Sequence, residues 1–344
     1  MLRHLSQRLL SLLQLTRMAL VFTAVADGWC TLLLAAQRRA EARGTTLAAQ
    51  VDARHFLAAA AVSVGLYGFG MSLNDIIDRR RDQQISPNRP LPSGRLGVAA
   101  AHVVCGLLIA GAVGAGALYA RLTDDWTSLV LVVGTGMLIA FYDLAGKYLV
   151  ALGLLTLGLI RFCHALVFSP TVPLLWHPLW LLNHVAVLSA VAYRWEEKRP
   201  PLTRGHWVVV LGGLLVVDII LVSMVASRRS ESAGGSVYDL ASTLRIQGGL
   251  IVPAAATAGF ILLAWRVRRR SPTPREAGQV TMLYGLLWLI VYDAAFVAGY
   301  VRDWVATVTI LLLLPVAYLS VRLMRWWSQL MALSQRPSFK RART

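Results

Sequence analysis

The chain is a succession of long apolar runs separated by short basic loops. Stretches such as HFLAAAAVSVGLYGFGM and LVLVVGTGMLIAF carry almost no charge over most of the thickness of a bilayer core. In lipid, every backbone polar group must find its partner within the protein, so an open chain of such runs can fold only as membrane-crossing helices. Ten segments qualify, at about 16–35, 55–74, 98–119, 127–142, 149–168, 175–193, 207–226, 247–266, 279–300 and 303–323. The last two are divided only by a short loop around Arg302 and Asp303, so they form either a tight helical hairpin or a pair with one broken or re-entrant member. The expected fold is therefore all-α: a polytopic transmembrane bundle of nine to ten helices. The 57% hydrophobic content agrees, since soluble chains lie nearer half.

Outside the bundle, residues 1–15 read as an interfacial segment, with Leu2, Leu5, Leu9, Leu12 and Leu13 on one helical face and Arg3 and Arg8 off it. No small-residue cleavage site follows, so the N-terminus is not read as a signal peptide. The transmembrane domain is expected to occupy 16–325, and 326–344 to form an anchor and a disordered basic tail.

The formal net charge is +17. On a soluble protein that would suggest nucleic acid, but here the charge is spread over inter-helix loops and forms no single basic face, so no nucleic-acid partner is expected. Counted by side of the membrane, 24 of the 34 Lys and Arg fall on one side and 9 on the other, with Arg161 inside a span. That bias places the loop after residue 74 in the cytoplasm, and both termini too if there are ten spans, as in a bacterial inner membrane. The three cysteines, Cys30, Cys105 and Cys163, lie in apolar runs and have neither metal-ligand nor disulfide spacing. Trp126, Trp176, Trp180 and Trp207 read as interfacial belt residues.

The chemistry concentrates where the second span ends, in SLNDIIDRRRDQQISPNRPLPSGRL. With Asn74 at zero on a helical wheel, Asp78 falls at about 40°, Asp82 at about 80° and Asp75 at about 100°. Carboxylates so close repel one another unless a cation joins them. Oxygen-only donors favour a hard ion, Mg²⁺ before Zn²⁺. Mg²⁺ takes one or two protein carboxylates and fills its shell with water and phosphate oxygens, so a phosphate-bearing substrate is implied. Arg79, Arg80, Arg81, Arg89 and Arg95 are candidates to meet it.

Asn74-Asp75-Ile76-Ile77-Asp78-Arg79-Arg80-Arg81-Asp82, followed by Asn88-Arg89-Pro90-Leu91-Pro92-Ser93-Gly94, resembles the first signature of the UbiA superfamily of intramembrane prenyltransferases. The first span, LTRMALVFTAVADG, and Tyr142-Asp143-x-x-x-Lys147 at the end of the fourth are also similar to that family. The resemblance implies helices around a lipid-open cavity, with Mg²⁺ bridging the first Asp cluster and an isoprenyl diphosphate, and transfer of the isoprenyl group to a hydrophobic acceptor within the membrane. Carried onto this sequence, Asn74, Asp78 and Asp82 would bind Mg²⁺ with Asp75 in support, Arg79, Arg89 and Lys147 would hold the diphosphate, and Tyr142 would position or polarise the leaving group.

The sequence departs from the family at its second Asp-x-x-x-Asp motif, where it reads Ala192-Tyr193-Arg194-Trp195-Glu196-Glu197-Lys198-Arg199-Pro200. Glu196 or Glu197 would stand in as the second metal ligand. This segment and Gly158-Leu159-Ile160-Arg161-Phe162-Cys163-His164 resemble EboC-type relatives. Ionisable residues at bilayer depth are functional candidates because unpaired charge is costly there. Arg161 and His164 share a helical face and would contact diphosphate or acceptor, Asp27 would line the cavity, and Asp218 and Asp293 are as well explained by buried pairing. Two other readings remain: an ion-coupled transporter using Asp27, Arg161, Asp218 and Asp293, and a non-catalytic relative that binds a lipid intermediate.

Overall fold

The computed structural model describes residues 2–171, 174–232, 244–246 and 248–334, and among them there is no strand. The helices are α1 (Leu2–Leu15), α2 (Val21–Arg43), α3 (Ala53–Ile77), α4 (Arg79–Ile85), α5 (Val98–Thr123), α6 (Thr127–Leu144), α7 (Val150–Val167), α8 (Trp176–Trp195) and α9 (Arg204–Ser232). They continue with α10 (Ile251–Arg270), α11 (Pro274–Phe296), α12 (Trp304–Leu311) and α13 (Leu313–Ser334). Each of the first nine expected spans coincides with a helix, and the tenth with a broken pair. Among the described residues, nine helical stretches are long and apolar enough to cross a membrane, which makes this a multi-pass membrane protein. The expected sixth span, α8, is a 20-residue helix with His177, Asn183, His184 and Ser189 along it, polar groups that lower its hydropathy.

Local chemistry sets the helix ends. Asp52 caps α3, accepting from the backbone N–H groups of Arg54 and His55, and His55 Nδ1 returns a bond to the Asp52 N–H in a reciprocal capping box. Thr273 caps α11 ahead of Pro274 at its first position. The α11–α12 connection is a tight hairpin: Arg302 takes a left-handed conformation at φ 59°, and the Asp303 carboxylate caps the Ala306 N–H at 3.0 Å. The tenth span is broken at Leu312, because Pro315 has no N–H to offer the carbonyl four residues back.

The central helix is α2, which packs on α3, α7, α11 and α13 and is buried around nearly its whole girth. Around it α3 pairs with α5, α6 with α7, α7 with α8, and α8 with α11. Small residues let these pairs close: a Cβ on Gly65 would sit 2.8 Å from the Leu108 carbonyl across α3–α5, and one on Gly158 2.6 Å from the Leu182 carbonyl across α7–α8. Large apolar side chains such as Leu107, Val130, Val208 and Ile251 are exposed on the outer faces, as lipid contact requires.

The structure adds detail at three places. Helix α1 buries Leu10 and Leu15 and leaves Leu9 exposed. Beyond residue 326, α13 continues to Ser334, and the rest of the expected tail, 335–344, lies outside the described residues. Trp176 and Trp180 are partly buried and donate to the Leu244 carbonyl and the Thr257 hydroxyl, so they act between helices as well as in an interfacial belt.

Candidate functional site

The Asn74–Asp82 segment straddles the junction of α3 and α4, with Asp78 as the linking residue. The four oxygen-bearing side chains divide between two sets of cations. Those at one end of the arc, Asn74 and Asp78, face Lys147: its Nζ lies 3.2 Å from Asn74 Oδ1 and 2.9 Å from Asp78 Oδ1. Those at the other end, Asp75 and Asp82, face arginines. Arg89 reaches Asp82 Oδ2 at 2.5 Å and Asp75 Oδ1 at 3.5 Å, and Arg17 reaches Asp75 at 3.3 Å. The expected single four-ligand cluster is thus two clusters, because each pair has its own counter-charge.

The loop that brings Arg89 back is tied down locally. Ser93 donates to the Arg89 carbonyl at 2.6 Å, Arg95 donates to the Asn88 carbonyl at 2.5 Å, and Leu91 and Leu96 pack beside Leu15 and Ala101. Arg95 is therefore engaged with its own loop. Pro90 fixes the turn between these anchors.

Lys147 sits on the short turn after α6 and also approaches Asp143 Oδ1 at 3.6 Å, one helical turn back. It stands at the edge of a pocket of about 300 Å³ lined by Asn74, Asp78, Arg81, Tyr142, Ser189, Tyr193, Lys198 and Arg199, among others. Four basic side chains thus meet around one pocket with Asp78 as its acidic member, a balance that suits an anion. Arg81 lines the pocket where Arg79 does not. From the 192–200 segment the pocket takes Tyr193, Lys198, Arg199 and Pro200; neither Glu196 nor Glu197 lines it, and Glu196 pairs with Lys198 at 3.3 Å.

A hard divalent ion fits this donor set. Three oxygens, from Asn74, Asp78 and Asp143, converge within 3.6 Å of one cationic nitrogen, and Asp143 Oδ1 is buried without a hydrogen-bond donor. Asp143 was not singled out as a ligand from sequence; its i, i+4 spacing to Lys147 was the available signal.

Asp27, Arg161 and His164 come together away from this pocket, in the bundle interior. Arg161 on α7 is ion-paired with Asp27 on α2 and donates to Thr23 Oγ1 at 2.8 Å. His164 lies 3.0 Å from Ser63 on α3 and 3.9 Å from Asp27. The network continues through His177, 3.3 Å from Thr31 and 2.7 Å from Asp293. Cys30, His177 and Asp293 present ligating atoms within 4.8 Å of one another, a grouping that the sequence spacing of the cysteines did not suggest. Arg161, with its guanidinium engaged on α2, is occupied by protein partners rather than turned to the anionic pocket. Asp218 meets Asn183, at 3.0 Å from each carboxylate oxygen, in a separate cavity.

No family model matches the sequence, and no curated protein matches it either. Its fold does match a solved structure, described as giving structural and mechanistic insights into digeranylgeranylglyceryl phosphate synthase in membranes. The alignment covers 86% of this chain and 99% of that one, with a TM-score of 0.56 and 18% identity. At that identity the likeness is one of fold. The expected all-α polytopic bundle is the architecture found, and its fold is like that of this synthase.

Proposed function

We propose that this protein is an intramembrane prenyltransferase whose diphosphate site is the pocket around Lys147. One observation carries the reading: Lys147 is held between Asn74 and Asp78 at the rim of a polar pocket that also gathers Arg81, Lys198 and Arg199. The fold shared with a prenyl-lipid synthase supports it.

In the reaction, the bond between the allylic carbon and the diphosphate oxygen breaks, a bond from that carbon to the acceptor forms, and the acceptor gives up a proton. Lys147, Arg81, Lys198 and Arg199 bind the donor's diphosphate and stabilise the charge that grows on it as it leaves. Tyr142, beside them, orients the leaving group. Asn74, Asp78 and Asp143 would hold Mg²⁺, which as a Lewis acid would supply further neutralisation of the diphosphate. Arg17 and Arg89 neutralise Asp75, and Arg89 also pairs with Asp82 and so ties its own loop to the ends of α3 and α4. The surrounding bundle keeps bulk water from the allylic cation. The acceptor is a hydrophobic aromatic, cyclic or alcohol compound that reaches the site from the lipid. The basic-residue asymmetry supports a position for this pocket on the cytoplasmic side of an inner membrane.

Equilibrium binding of farnesyl and geranylgeranyl diphosphate to the purified protein, with and without Mg²⁺, tests the proposal. Saturable binding that weakens by about tenfold or more in Lys147→Met and in Asp78→Asn is expected. Binding of neither donor, or binding indifferent to both substitutions, would overturn it.

A further inference from the structure

A second cavity, of about 590 Å³, lies between α9 and α10 with α8 as its back wall. Eight residues of α8, from Trp176 to Val191, line it at i, i+3, i+4 spacing. At 1.5 Å per residue that face is about 22 Å long, most of the roughly 30 Å hydrocarbon core. The cavity is separate from the diphosphate pocket, which uses Ser189 and Tyr193 on another face of α8. Between them α8 and α11 are in close contact: a Cβ on Gly285 would lie 2.5 Å from Leu188.

The walls are aromatic and aliphatic, yet polar groups inside them lack donors. Asn183 Nδ2 is 3.0 Å from the Leu179 carbonyl and 3.0 Å from each oxygen of Asp218. An amide nitrogen has two hydrogens for these three acceptors, so the Asp218 carboxylate is left under-donated at membrane depth. On α11, Thr281 also lines the cavity; it is 1% exposed and its hydroxyl has no partner. Other helix threonines, Thr31, Thr135, Thr156 and Thr257, bond the carbonyl four residues back. Phospholipid tails offer no donor at this depth.

We infer that this slot is a binding site for a lipid-soluble alcohol, a hydrocarbon body carrying a hydroxyl that donates to Asp218 and exchanges hydrogen bonds with Thr281. The inference does not depend on the prenyl-transfer reading. The aromatic walls, Trp176, Trp180, Phe260 and Tyr292, hold the body, and α9 and α10 leave the entrance on the lipid side.

The test is equilibrium binding of tritiated geranylgeraniol and of its methyl ether to the protein in phosphatidylcholine nanodiscs. A hydrogen bond to a charged group predicts at least about tenfold tighter binding of the alcohol. That preference should vanish in Asp218→Leu and fall in Thr281→Val. Ala264→Trp, on the slot wall, should block both ligands while leaving prenyl diphosphate binding intact. Equal binding of alcohol and ether, or a preference that survives Asp218→Leu, would overturn the inference. So would loss of alcohol binding in Lys147→Met, since the ligand would then lie in the diphosphate pocket.

Discussion

Replacing Arg161 by Met isolates what the interior ion pair contributes. In the native chain the Arg161 guanidinium satisfies one oxygen of Asp27 and the hydroxyl of Thr23, while Asp27 is fully buried and its other oxygen, Oδ1, has no donor. Without Arg161, the nearest remaining basic group to Asp27 Oδ2 is His164 Nδ1 at 3.9 Å, too far for a good hydrogen bond. Breaking a buried pair on one side costs about 3–5 kcal/mol, because an uncompensated charge stays in the interior. Replacing both partners, as in Asp27→Leu/Arg161→Met, removes the orphan, and such double replacements are often neutral or stabilising. The coupling between the two sites should therefore be about 3 kcal/mol or more. It can be read from a double-mutant cycle of reversible unfolding in mixed micelles. The double variant should also keep prenyl diphosphate affinity, since Arg161 makes its contacts on α2. If Arg161→Met alone falls within about 1 kcal/mol of wild type, or the double variant is as unstable as the sum of the singles, the pairing argument fails. If the double variant is stable but has lost diphosphate binding, Arg161 belongs to the substrate site.

Lys147→Met should weaken diphosphate binding about ten- to a hundredfold, the range for one charge-assisted hydrogen bond, and titration calorimetry would measure it. Asp143→Asn should reduce the Mg²⁺ dependence of that binding, whereas Glu196→Gln should leave it unchanged; the reverse order would move the metal to the 192–200 segment. Gly158→Leu should destabilise the α7–α8 pair by about 1–3 kcal/mol, since a Cβ there meets the Leu182 carbonyl at 2.6 Å; a melting point equal to wild type would refute the close packing. At the start of α3, hydrogen bonds from Arg54 and His55 hold the Asp52 carboxyl below the usual carboxylate range. A depressed folded-state pKa contributes stability above the unfolded value of about 4 and loses it as pH falls below that. Hydrogen exchange at the Arg54 and His55 amides should accelerate in that acid window, and in Asp52→Ala it should be fast throughout.

The spans were legible because the lipid solvent makes hydropathy nearly sufficient: a long apolar run has one way to satisfy its backbone. That Asn74, Asp75, Asp78 and Asp82 lie near one another was legible because i, i+4 spacing is local geometry. Spacing could also place Lys147 and Tyr142 at the same end of the bundle. It could not show that the arc from Asn74 to Asp75 is shared between Lys147 on one side and Arg17 and Arg89 on the other, since those partners lie 7 to 73 residues away in the chain. For the same reason spacing could offer Glu196 or Glu197 as a stand-in second metal ligand but could not show that Lys198 and Arg199 line the pocket.

The sequence by itself determined that this protein crosses the membrane many times as helices, and that acidic, amide and guanidinium groups gather at the end of its second span. Only the tertiary structure decided the pairings: Arg161 with Asp27, Asp293 with His177, Asp218 with Asn183, and three oxygens around Lys147. The physical reason is range. Hydropathy and helical periodicity act within one segment, whereas a buried charge is satisfied by whichever helix packing brings within about 3 Å, and that depends on how several helices cross.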